Sequence, residues 1–423
     1  MKKKLLSLFS GCGGMDIGFE GGFTVPSVLI NTGMHTDWII GEQEGRALLK
    51  ETFFDTVFAN DINEHAKIAW VDYFSKRKID VMGIFKVGSI VDYVKQFKNG
   101  DKSIFPNDID IVTGGFPCQD FSVAGKRKGF DSHKDHNGLL IDIPGPSEET
   151  RGKLYMWMKE VVEITRPKMF IAENVKGLAN LGTVKSIIQN DFSKTGGDGY
   201  IVLEPRVLHA AQYGIPQSRE RIIFIGIKKS ALKPGILKLL QSGNIPDELS
   251  PYPTPTHRLN GEMQHSNAEP LIKQFNAVNK VLLDLEEPGI SKDPSQTYYS
   301  KAKFMGVHCQ GQKEVDLNRL GPTIRSEHHG NIEFRRLSVA NGGKLIEELN
   351  QGKGERRLTL RECARIQTFP DDFNFVIPKQ DGGRGFLLNS SNGYKLVGNA
   401  VPPLLAYHIA TKIEKIWGSY FKK

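Results

Sequence analysis

Short apolar runs alternate with segments of helical spacing through the first half of the chain. The apolar runs have the length of buried strands, and the segments between them place apolar residues on one face of a helix. Strands are predicted at residues 5–9, 57–60, 109–113 and 170–172, and helices at 64–74, 154–165 and 184–192. This alternation is typical of an α/β fold, in which helices flank a mostly parallel sheet.

The pattern becomes less regular after residue 228. Residues 231–355 are rich in Pro, Gly, Asn and Ser, and their strict periodicity fades. Further strands are predicted before this region, at 201–209 and 221–227, and helical spacing returns after it, at 357–366 and 404–417. The sequence therefore predicts a large α/β unit and a smaller, irregular one.

The composition limits the class of protein without naming a function. The 423 residues can form one large core and a second domain. Hydrophobic residues make up 39% and charged residues 25%, as in ordinary globular proteins. The net charge of +8 favours a polyanionic partner, although a basic surface without such a partner would give the same value.

The cysteines and the apolar runs indicate a cellular location. The four cysteines include no C-x-x-C pair, which argues against a zinc ribbon, and so few in a long chain suit a reducing cytoplasm. The first apolar run is too short for a signal peptide, and no run is long enough to cross a bilayer. We expect a cytoplasmic protein with no membrane association and no metal site.

Cys118 is the strongest candidate for chemistry. The strand predicted at 109–113 leads into two glycines, and the thiol follows Pro117 instead of lying within an apolar run. Strands of an α/β sheet present ligands at their carboxyl ends, and an accessible thiolate is a strong carbon nucleophile. For Cys118 taken alone, the alternative is a small buried hydrophobe in a loop.

The segment that follows the first predicted strand is a candidate cofactor turn. Gly11, Gly13 and Gly14 permit a tight turn and close approach of a ligand, but their G-x-G-G spacing fits the NAD fingerprint poorly. Asp61 ends the second strand, where a carboxylate can accept both hydroxyls of a ribose. Together these features indicate an adenosine-containing cofactor without a tightly held pyrophosphate, although each is common by itself.

Three charged residues complete the candidate site. Glu173 follows the strand at 170–172, where a carboxylate can exchange a proton with a reacting ring; alternatively, it is an acid at a helix start. Arg219 and Arg221 lie on one side of an extended segment, because side chains alternate there, and paired guanidiniums can hold phosphate or a carbonyl oxygen. Without the other features, a solvated strand end would be the better interpretation of both arginines.

Six segments, in this order, resemble a known family. The chain is similar to the DNA (cytosine-5)-methyltransferases of bacterial restriction–modification systems. The matching segments are 9–14, 117–119, 173–175, 217–221, 357–370 and 398–403. Their joint order and spacing make the resemblance specific, and they leave 231–355 unmatched.

The resemblance implies a fold and a domain organisation. A Rossmann-like sheet would bind S-adenosyl-L-methionine (AdoMet), and a smaller, irregular, strand-rich domain would recognise the target, with DNA in the cleft between them. The catalytic domain would span 1–228 and be completed by 392–423, whose last helix folds back beside the first strand. The target-recognition domain would span 229–391, including the returning block 357–370.

The implied activity is methyl transfer from AdoMet to C5 of a cytosine flipped out of double-stranded DNA. By resemblance, Cys118 adds to C6 of the ring, Glu173 contacts N3 and the amino group, Arg221 binds the O2 side, and Arg219 supports the site. The implied cofactor contacts are Phe9, Gly11, Gly13, Gly14, Asp61, Ser89, Ile90, Pro117, Leu154, Asn399 and Val401. We expect a monomer that protects host DNA from a cognate restriction endonuclease, which acts separately.

Some features depart from the family pattern or extend it. Ser89 stands where the family usually has an aspartate for the adenine amino group, which predicts weaker AdoMet binding unless the alignment there is shifted. The polar stretch 133–149 has no assigned role. The basic, glycine-flanked segment 125–129 is expected to close over DNA, and Arg335 or Arg336 is expected near DNA, since arginine commonly reads guanine.

Three alternatives compete with this interpretation. A tRNA methyltransferase of the same fold would keep the cysteine and AdoMet, but the long region 231–355 and the lack of a Cys-Phe-Thr motif argue against it. A catalytically silent DNA-binding relative would not be expected to retain Cys118, Glu173 and both arginines. A nicotinamide oxidoreductase is the remaining enzyme alternative, and the G-x-G-G spacing disfavours it.

Overall fold

The computed structural model describes most of the chain. The described residues are 2–78, 80–116, 154–180, 184–259, 271–326, 332–379 and 385–422. Pro117, Cys118 and the segments 125–129 and 133–149, all singled out in the sequence, lie outside these ranges.

Many of the strands are short. In chain order they are β1 (Lys3–Leu8), β2 (Thr24–Pro26), β3 (Ile39–Gln43), β4 (Arg46–Leu49), β5 (Phe54–Asp61), β6 (Phe85–Val87), β7 (Ile111–Gly114), β8 (Met169–Val175), β9 (Tyr200–Val202), β10 (Arg206–His209), β11 (Glu220–Lys228), β12 (His257–Arg258), β13 (Lys273–Gln274), β14 (Phe334–Arg336), β15 (Arg356–Arg357), β16 (Ile377–Pro378) and β17 (Phe386–Leu388).

The helices range from a single turn to 18 residues. They are α1 (Gly14–Glu20), α2 (Glu64–Phe74), α3 (Ile90–Lys98), α4 (Leu154–Thr165), α5 (Val184–Ser193), α6 (Pro234–Ser242), α7 (Asn279–Leu282), α8 (Pro294–Thr297), α9 (Ile346–Asn350), α10 (Leu360–Ile366), α11 (Ser390–Asn399) and α12 (Pro403–Tyr420). Among the described helices, none is long and apolar enough to span a bilayer.

The largest sheet has the strand order β10-β11-β8-β7-β1-β5-β6, and β9 also pairs with β11. The five strands from β8 to β6 run parallel, whereas β11 is antiparallel to β8, β9 and β10. The central strands β1, β7 and β8 are almost wholly buried, as expected of a sheet covered on both faces. The predicted α/β class with a mostly parallel sheet is confirmed.

The structure confirms the predicted boundaries of some elements and changes those of others. The helices predicted at 64–74 and 154–165 have those bounds, and the side chain of Asn63 caps the first of them. The strand predicted at 201–209 is two strands, because the chain leaves the edge of β11 between β9 and β10. The three-stranded sheet β2-β4-β3 was not predicted, since its strands are only three to five residues long.

The C-terminal helix α12 packs against the first helix α1. No side chain would fit at Gly14 or Gly18, because a Cβ at either position would clash with backbone oxygens of Val401 or Pro403. Glycine thus allows the backbones of the two helices to approach closely. The end of the chain returns to its beginning, and α12 contributes much of the core around α1.

The region predicted as a recognition domain is built from short strand pairs and short helices. Its sheets are β12-β13, β14-β15 and β16-β17, each with two strands. The residues after α10 pack against the first half of the chain, where the ring of Phe373 lies 5.3 Å from that of Tyr73. Asn374 also donates a hydrogen bond to Asp72. The residues just after the returning block therefore lie at the contact between the large sheet unit and this smaller region.

Candidate active site

Predicted site residues meet at one edge of the large sheet. Strands β1, β5, β7 and β8 are parallel, so their carboxyl ends lie together. The candidate cofactor turn follows β1, Asp61 ends β5, and the approach to Cys118 follows β7. This is the edge at which α/β sheets bind their ligands.

Glu173 and Arg221 form an ion pair at this edge. The Nε atom of Arg221 lies 2.7 Å from Oε1 of Glu173. In the β8–β11 register Arg221 is opposite Val175, which places it on the same face of the sheet as Glu173. Glu173 lies within β8, so the alternative of an acid at a helix start is wrong. The side chains of Glu173 and Arg221 are 11% and 13% exposed, so the pair is mostly buried but still accessible to solvent.

The segment leading to Cys118 is tied to the strand that carries Glu173. The side-chain amide of Asn174 donates to the carbonyl oxygen of Phe116 at 3.1 Å. A Cβ added to Gly115 would lie 2.8 Å from Oε2 of Glu173, so the glycine lets the chain pass directly over the carboxylate. Cys118 lies outside the described residues, two positions beyond Phe116.

The candidate cofactor turn has a left-handed backbone at three positions. The φ angles of Phe9, Gly11 and Gly13 are 51°, 54° and 88°. Left-handed φ is costly for a residue such as phenylalanine, so the surrounding structure must hold Phe9 in place. Nothing lies within 4 Å of the position that a Cβ on Gly11 would occupy, so the turn presents an open backbone surface.

Asp61 stabilises this turn from the neighbouring strand. One carboxylate oxygen accepts from the backbone N–H of Gly11 at 2.9 Å, and the other accepts from that of Asn63 at 2.9 Å. Burial raises the pKa of Asp61, and the hydrogen bonds from Asn63 and Gly11 oppose that shift. The carboxylate therefore joins the end of β5 to the turn after β1.

A buried acid that sequence reasoning missed supports the turn from behind. Asp16 accepts hydrogen bonds from the hydroxyl of Ser7 at 2.6 Å and from the indole N–H of Trp70 at 2.8 Å. Burial raises its pKa to about 6, while both hydrogen bonds act in the opposite direction. Gly13 lies directly over Trp70. The available signal was a polar residue at 7 and another at 16 within otherwise apolar segments.

Ser89 and Ile90 lie beside Asp61 in the sheet order. Strand β6 pairs with β5 so that Val87 is opposite Asp61, and the chain then turns into α3. Ser89 caps α3, where its hydroxyl accepts from the backbone N–H of Val91 at 3.3 Å. Ile90 begins the helix and is buried. The serine thus has a local structural role at the position where an aspartate was expected.

The remaining predicted cofactor contacts come from three elements. Leu154 begins α4 and belongs to a buried cluster against which Phe9 packs. Asn399 ends α11 and is exposed, and Val401 follows it, with its carbonyl oxygen against Gly14. The structure therefore brings the joint between α11 and α12 to the candidate cofactor turn.

Arg219 is not brought to the Glu173–Arg221 pair. Arg219 is 1% exposed, and its guanidinium donates to three backbone carbonyl oxygens, those of Ile324, Gly398 and Ala400. The expectation that both arginines face one side fails because Arg219 precedes β11, where strict alternation of side chains begins.

Arg335 and Arg336 are also placed differently from the sequence-based expectation. Arg336 is 1% exposed and bonds to Glu287 and Glu348. Arg335 is buried and pairs with Glu348 at 2.8 Å. Both guanidiniums are buried and engaged by carboxylates, which disfavours the expectation that one of them contacts DNA.

Comparisons with known proteins match the whole chain. The sequence model of the family described as C-5 cytosine-specific DNA methylase matches residues 3–144 and 145–415. The Type II methyltransferase M.BspRI of Lysinibacillus sphaericus is 30% identical over 439 residues, covering 100% of this chain and 84% of that protein. M.BsuRI of Bacillus subtilis is 29% identical over 424 residues, covering 97% and 79%.

Solved structures agree in fold. The DNMT2 of Spodoptera frugiperda superposes with a TM-score of 0.54 at 16% identity, covering 98% of this chain and 100% of that chain. The methyltransferase EhMeth of Entamoeba histolytica gives a TM-score of 0.54 at 15% identity, covering 100% of both chains. The methyltransferase fold implied by the sequence is confirmed, as is the resemblance itself. The chain belongs to the C-5 cytosine-specific DNA methylase family and is a DNA (cytosine-5)-methyltransferase.

Proposed function

We propose that this methyltransferase modifies one specific site in duplex DNA, with Cys118 as nucleophile and the Glu173–Arg221 pair holding the cytosine. The observation that carries the proposal is the convergence of that pair with the segment ending at Phe116, two residues before Cys118. We expect the protein to act as a monomer in the bacterial cytoplasm, beside a separate restriction endonuclease. Its similarity to Type II methyltransferases supports this role.

Cytosine needs covalent activation because its C5 atom is a poor nucleophile. Addition of the Cys118 thiolate forms an S–C6 bond and moves an electron pair of the ring toward C5. Glu173 contacts N3 and the exocyclic amino group, and Arg221 contacts O2, so charge that develops on the ring is matched by the pair. Once C5 has accepted a methyl group, loss of the C5 proton to a base and departure of the thiolate restore the C5–C6 double bond.

The residues at the cofactor turn fit AdoMet. The open backbone at Gly11 can approach a ligand, and Asp61 lies where it could accept both ribose hydroxyls. Phe9 would pack on the adenine, with Ser89 and Ile90 at its edge, and the joint that bears Asn399 and Val401 would close the other side. When bound there, AdoMet supplies the electrophilic methyl group that C5 accepts.

The target cytosine must leave the duplex to reach this site. Its C5 and C6 atoms are stacked inside double-stranded DNA, and extrusion costs a few kcal/mol. Reading of the surrounding sequence is assigned to the region 229–391, because its short strand pairs and loops differ from the regular sheet that carries the chemistry. Base-edge contacts carry sequence information, whereas phosphate contacts only fix position.

A duplex with 5-fluorocytosine at the target position tests the nucleophile. Fluorine cannot leave as a proton, so the enzyme should remain covalently attached to the DNA, and a peptide map should place the adduct on Cys118. Cys118→Ser should abolish both adduct formation and methyl transfer, because a hydroxyl is far less ionised at neutral pH than a thiol. Near-normal turnover by this variant would remove Cys118 from the role.

Cys12 provides the matched control. It is buried in the cofactor turn, and burial raises its pKa well above the ordinary value, so it is not an available thiolate. Cys12→Ser should therefore retain the adduct. An adduct on Cys12 would show that the wrong cysteine has been assigned.

A domain exchange tests the assignment of sequence recognition. Residues 231–355 would be replaced by the equivalent region of a relative whose target is known, and methylated sites would be mapped by bisulfite sequencing. The chimera should methylate the relative's target. An active chimera that still methylates the original site would place recognition elsewhere, with 133–149 as the next region to test.

A further inference from the structure

Three polar side chains are buried between separate segments of the chain, away from the Glu173–Arg221 pair. They are Gln217, Arg219 and Gln367, each at most 1% exposed. Burial of polar groups is unfavourable unless their hydrogen bonds are made. The three side chains, which we call the backbone clamp, satisfy this requirement largely by binding main-chain atoms.

Arg219 connects two of these segments. Its Nη1 atom donates to the carbonyl oxygen of Ile324 at 2.9 Å, and its Nη2 atom donates to those of Gly398 and Ala400 at 3.0 and 2.8 Å. Because the guanidinium is a rigid planar fork, it fixes the three carbonyl oxygens relative to one another. A flexible ammonium could not hold the same set.

The two glutamines repeat the connection. The amide of Gln217 donates to Oε1 of Gln367 at 3.0 Å and accepts from the backbone N–H of Ile324 at 3.1 Å. Gln367 donates in turn to the carbonyl oxygen of Val397 at 2.7 Å. The clamp therefore reaches residue 324 twice and the α11–α12 joint twice, through independent side chains.

The backbone confirms that these segments are in direct contact. Ser218 donates to the carbonyl oxygen of Gly321 at 2.9 Å, and Gly321 donates to that of Pro216 at 3.0 Å. No side chain would fit at Gly398, because a Cβ there would clash with the backbone of Arg325. The segment 321–326 thus passes between the start of β11 and the end of α11.

We infer that the backbone clamp positions the α11–α12 joint, and with it Asn399 and Val401, against the cofactor turn. The inference rests on the proposed assignment of that turn to AdoMet. It makes Arg219 a positioning residue that acts through main-chain atoms, whereas Arg221, two residues later, contacts the substrate. The clamp also connects segment 321–326 of the smaller region to the residues just before β11, the strand that bears Arg221. The large sheet unit and the smaller region are therefore joined through the same side chains.

AdoMet affinity without DNA separates this role from contact with the cytosine. Arg219→Lys keeps the charge but cannot reproduce the three-carbonyl fork. Its dissociation constant for AdoMet, measured by isothermal titration calorimetry, should rise roughly tenfold to hundredfold, which corresponds to about 1.4–2.8 kcal/mol. Its kcat at saturating AdoMet should stay within about threefold of wild type. Arg221→Lys should show the reverse, with kcat lowered and AdoMet affinity unchanged.

A second variant keeps the test decisive if Arg219→Lys does not fold. Gln367→Glu has nearly the same shape but loses the N–H group that reaches Val397, and its AdoMet dissociation constant should rise in the same direction. Arg206→Lys, on the neighbouring β10, is the matched control, because the Arg206 guanidinium lies over the ring of Tyr252, away from the clamp. The control should bind AdoMet as the wild type does.

The outcomes distinguish this inference from the proposed function. AdoMet dissociation constants within twofold of wild type for the folded clamp variants would overturn the positioning role, while the Cys118 adduct would still stand. Loss of the Cys118 assignment would instead appear in the 5-fluorocytosine experiment, whatever the clamp variants do.

Discussion

Two regions of the molecule use the same pair of residue types to different ends. At the sheet edge, Glu173 meets Arg221 in a single described ion pair beside the approach to Cys118. In the smaller region, arginines and acids form a connected network that we call the arginine seam. Its members are Arg335, Arg336 and Arg356, with Glu287, Glu348 and Glu362.

The difference lies in how many partners each guanidinium has. Arg336 bonds to two carboxylates and to the carbonyl oxygen of Gly354, and Arg356 bridges Glu287 and Glu362. Such groups have little capacity left for a ligand, and the seam serves to hold short strands and helices together. Arg221 has one carboxylate partner, Glu173, and one carbonyl partner, Glu220, so the pair still leaves donors and acceptors for a substrate. Residue type alone therefore does not identify function; the number of satisfied bonds does.

The largest effect should come from removing the charge at the sheet edge. Glu173→Gln keeps the shape of the side chain but not its charge, so kcat should fall by roughly 10²–10⁴-fold. The fall in kcat is measured as the rate of methyl incorporation into duplex DNA at saturating substrate concentrations. Glu220→Gln, which affects a solvent-accessible pair with Lys176, the residue after β8, should have little effect. Equal losses in both variants would mean that general electrostatics, not the pair, matters.

The arginine seam should respond in stability. Arg336→Met removes a buried guanidinium from two partly exposed carboxylates, which keep Arg335 and Arg356 as partners, so the free energy of unfolding should fall by about 1.5–3 kcal/mol. Chemical denaturation monitored by circular dichroism measures the change. Arg319→Met removes an exposed pair with Asp316 and should give no measurable change. If Arg336→Met is as stable as wild type, the seam is not a structural element.

AdoMet binding should show an intermediate effect at Asp61. Asp61→Asn retains one acceptor but turns an N–H group toward the backbone donors of Gly11 or Asn63, and it weakens the proposed ribose contact. Charge-assisted hydrogen bonds of this kind contribute roughly 1.5–3 kcal/mol, so calorimetry should show weaker AdoMet binding by a similar free energy. Asp55→Asn, on the same strand but paired with Lys78, should bind AdoMet normally. Unchanged binding by Asp61→Asn would contradict the assignment.

The smallest effect should be a change in acid stability. Burial would raise the pKa of Glu287, but Arg356 and Arg336 outweigh it and lower the pKa from 4.5 to about 2. The unfolded chain therefore binds the proton first as pH falls, so the stabilisation present above about pH 4.5 is lost between that pH and about 2. Glu287→Gln should have a flatter stability profile in this window, measured as urea midpoints at successive pH values. If the profiles of the wild type and Glu287→Gln run parallel, Glu287 makes no contribution to the change in stability with pH.

The sequence predicted those features that depend on neighbouring residues. Helix α2 was predicted with its observed bounds because helical spacing is a local pattern, and the structure adds Asn63 as its cap. Glu173 and Arg221 were assigned to one site because both follow from local blocks of known order, and the structure joins them. The sheet edge that gathers them follows from parallel strands alone.

The sequence did not predict contacts that join distant segments. The partners of Arg219 lie 105, 179 and 181 residues away, and Glu287 is 49 residues from Arg336. Periodicity carries no information about such pairs, because it reports only which face of an element is apolar. For the same reason, Arg336 could not be recognised as buried until Glu287 and Glu348 were located.

The close packing of α1 against α12 also sets an order in time. Gly14 and Gly18 meet residues near 401 and 403, which are synthesised almost at the end of the described chain. At about 5–20 residues per second, roughly 20–80 s separate the two helices on the ribosome. During that interval Gly14 and Gly18 lack their contacts with residues 401 and 403, and the cofactor turn lacks the α11–α12 joint that packs against it. The ability to methylate DNA is therefore among the last properties that a newly made copy acquires.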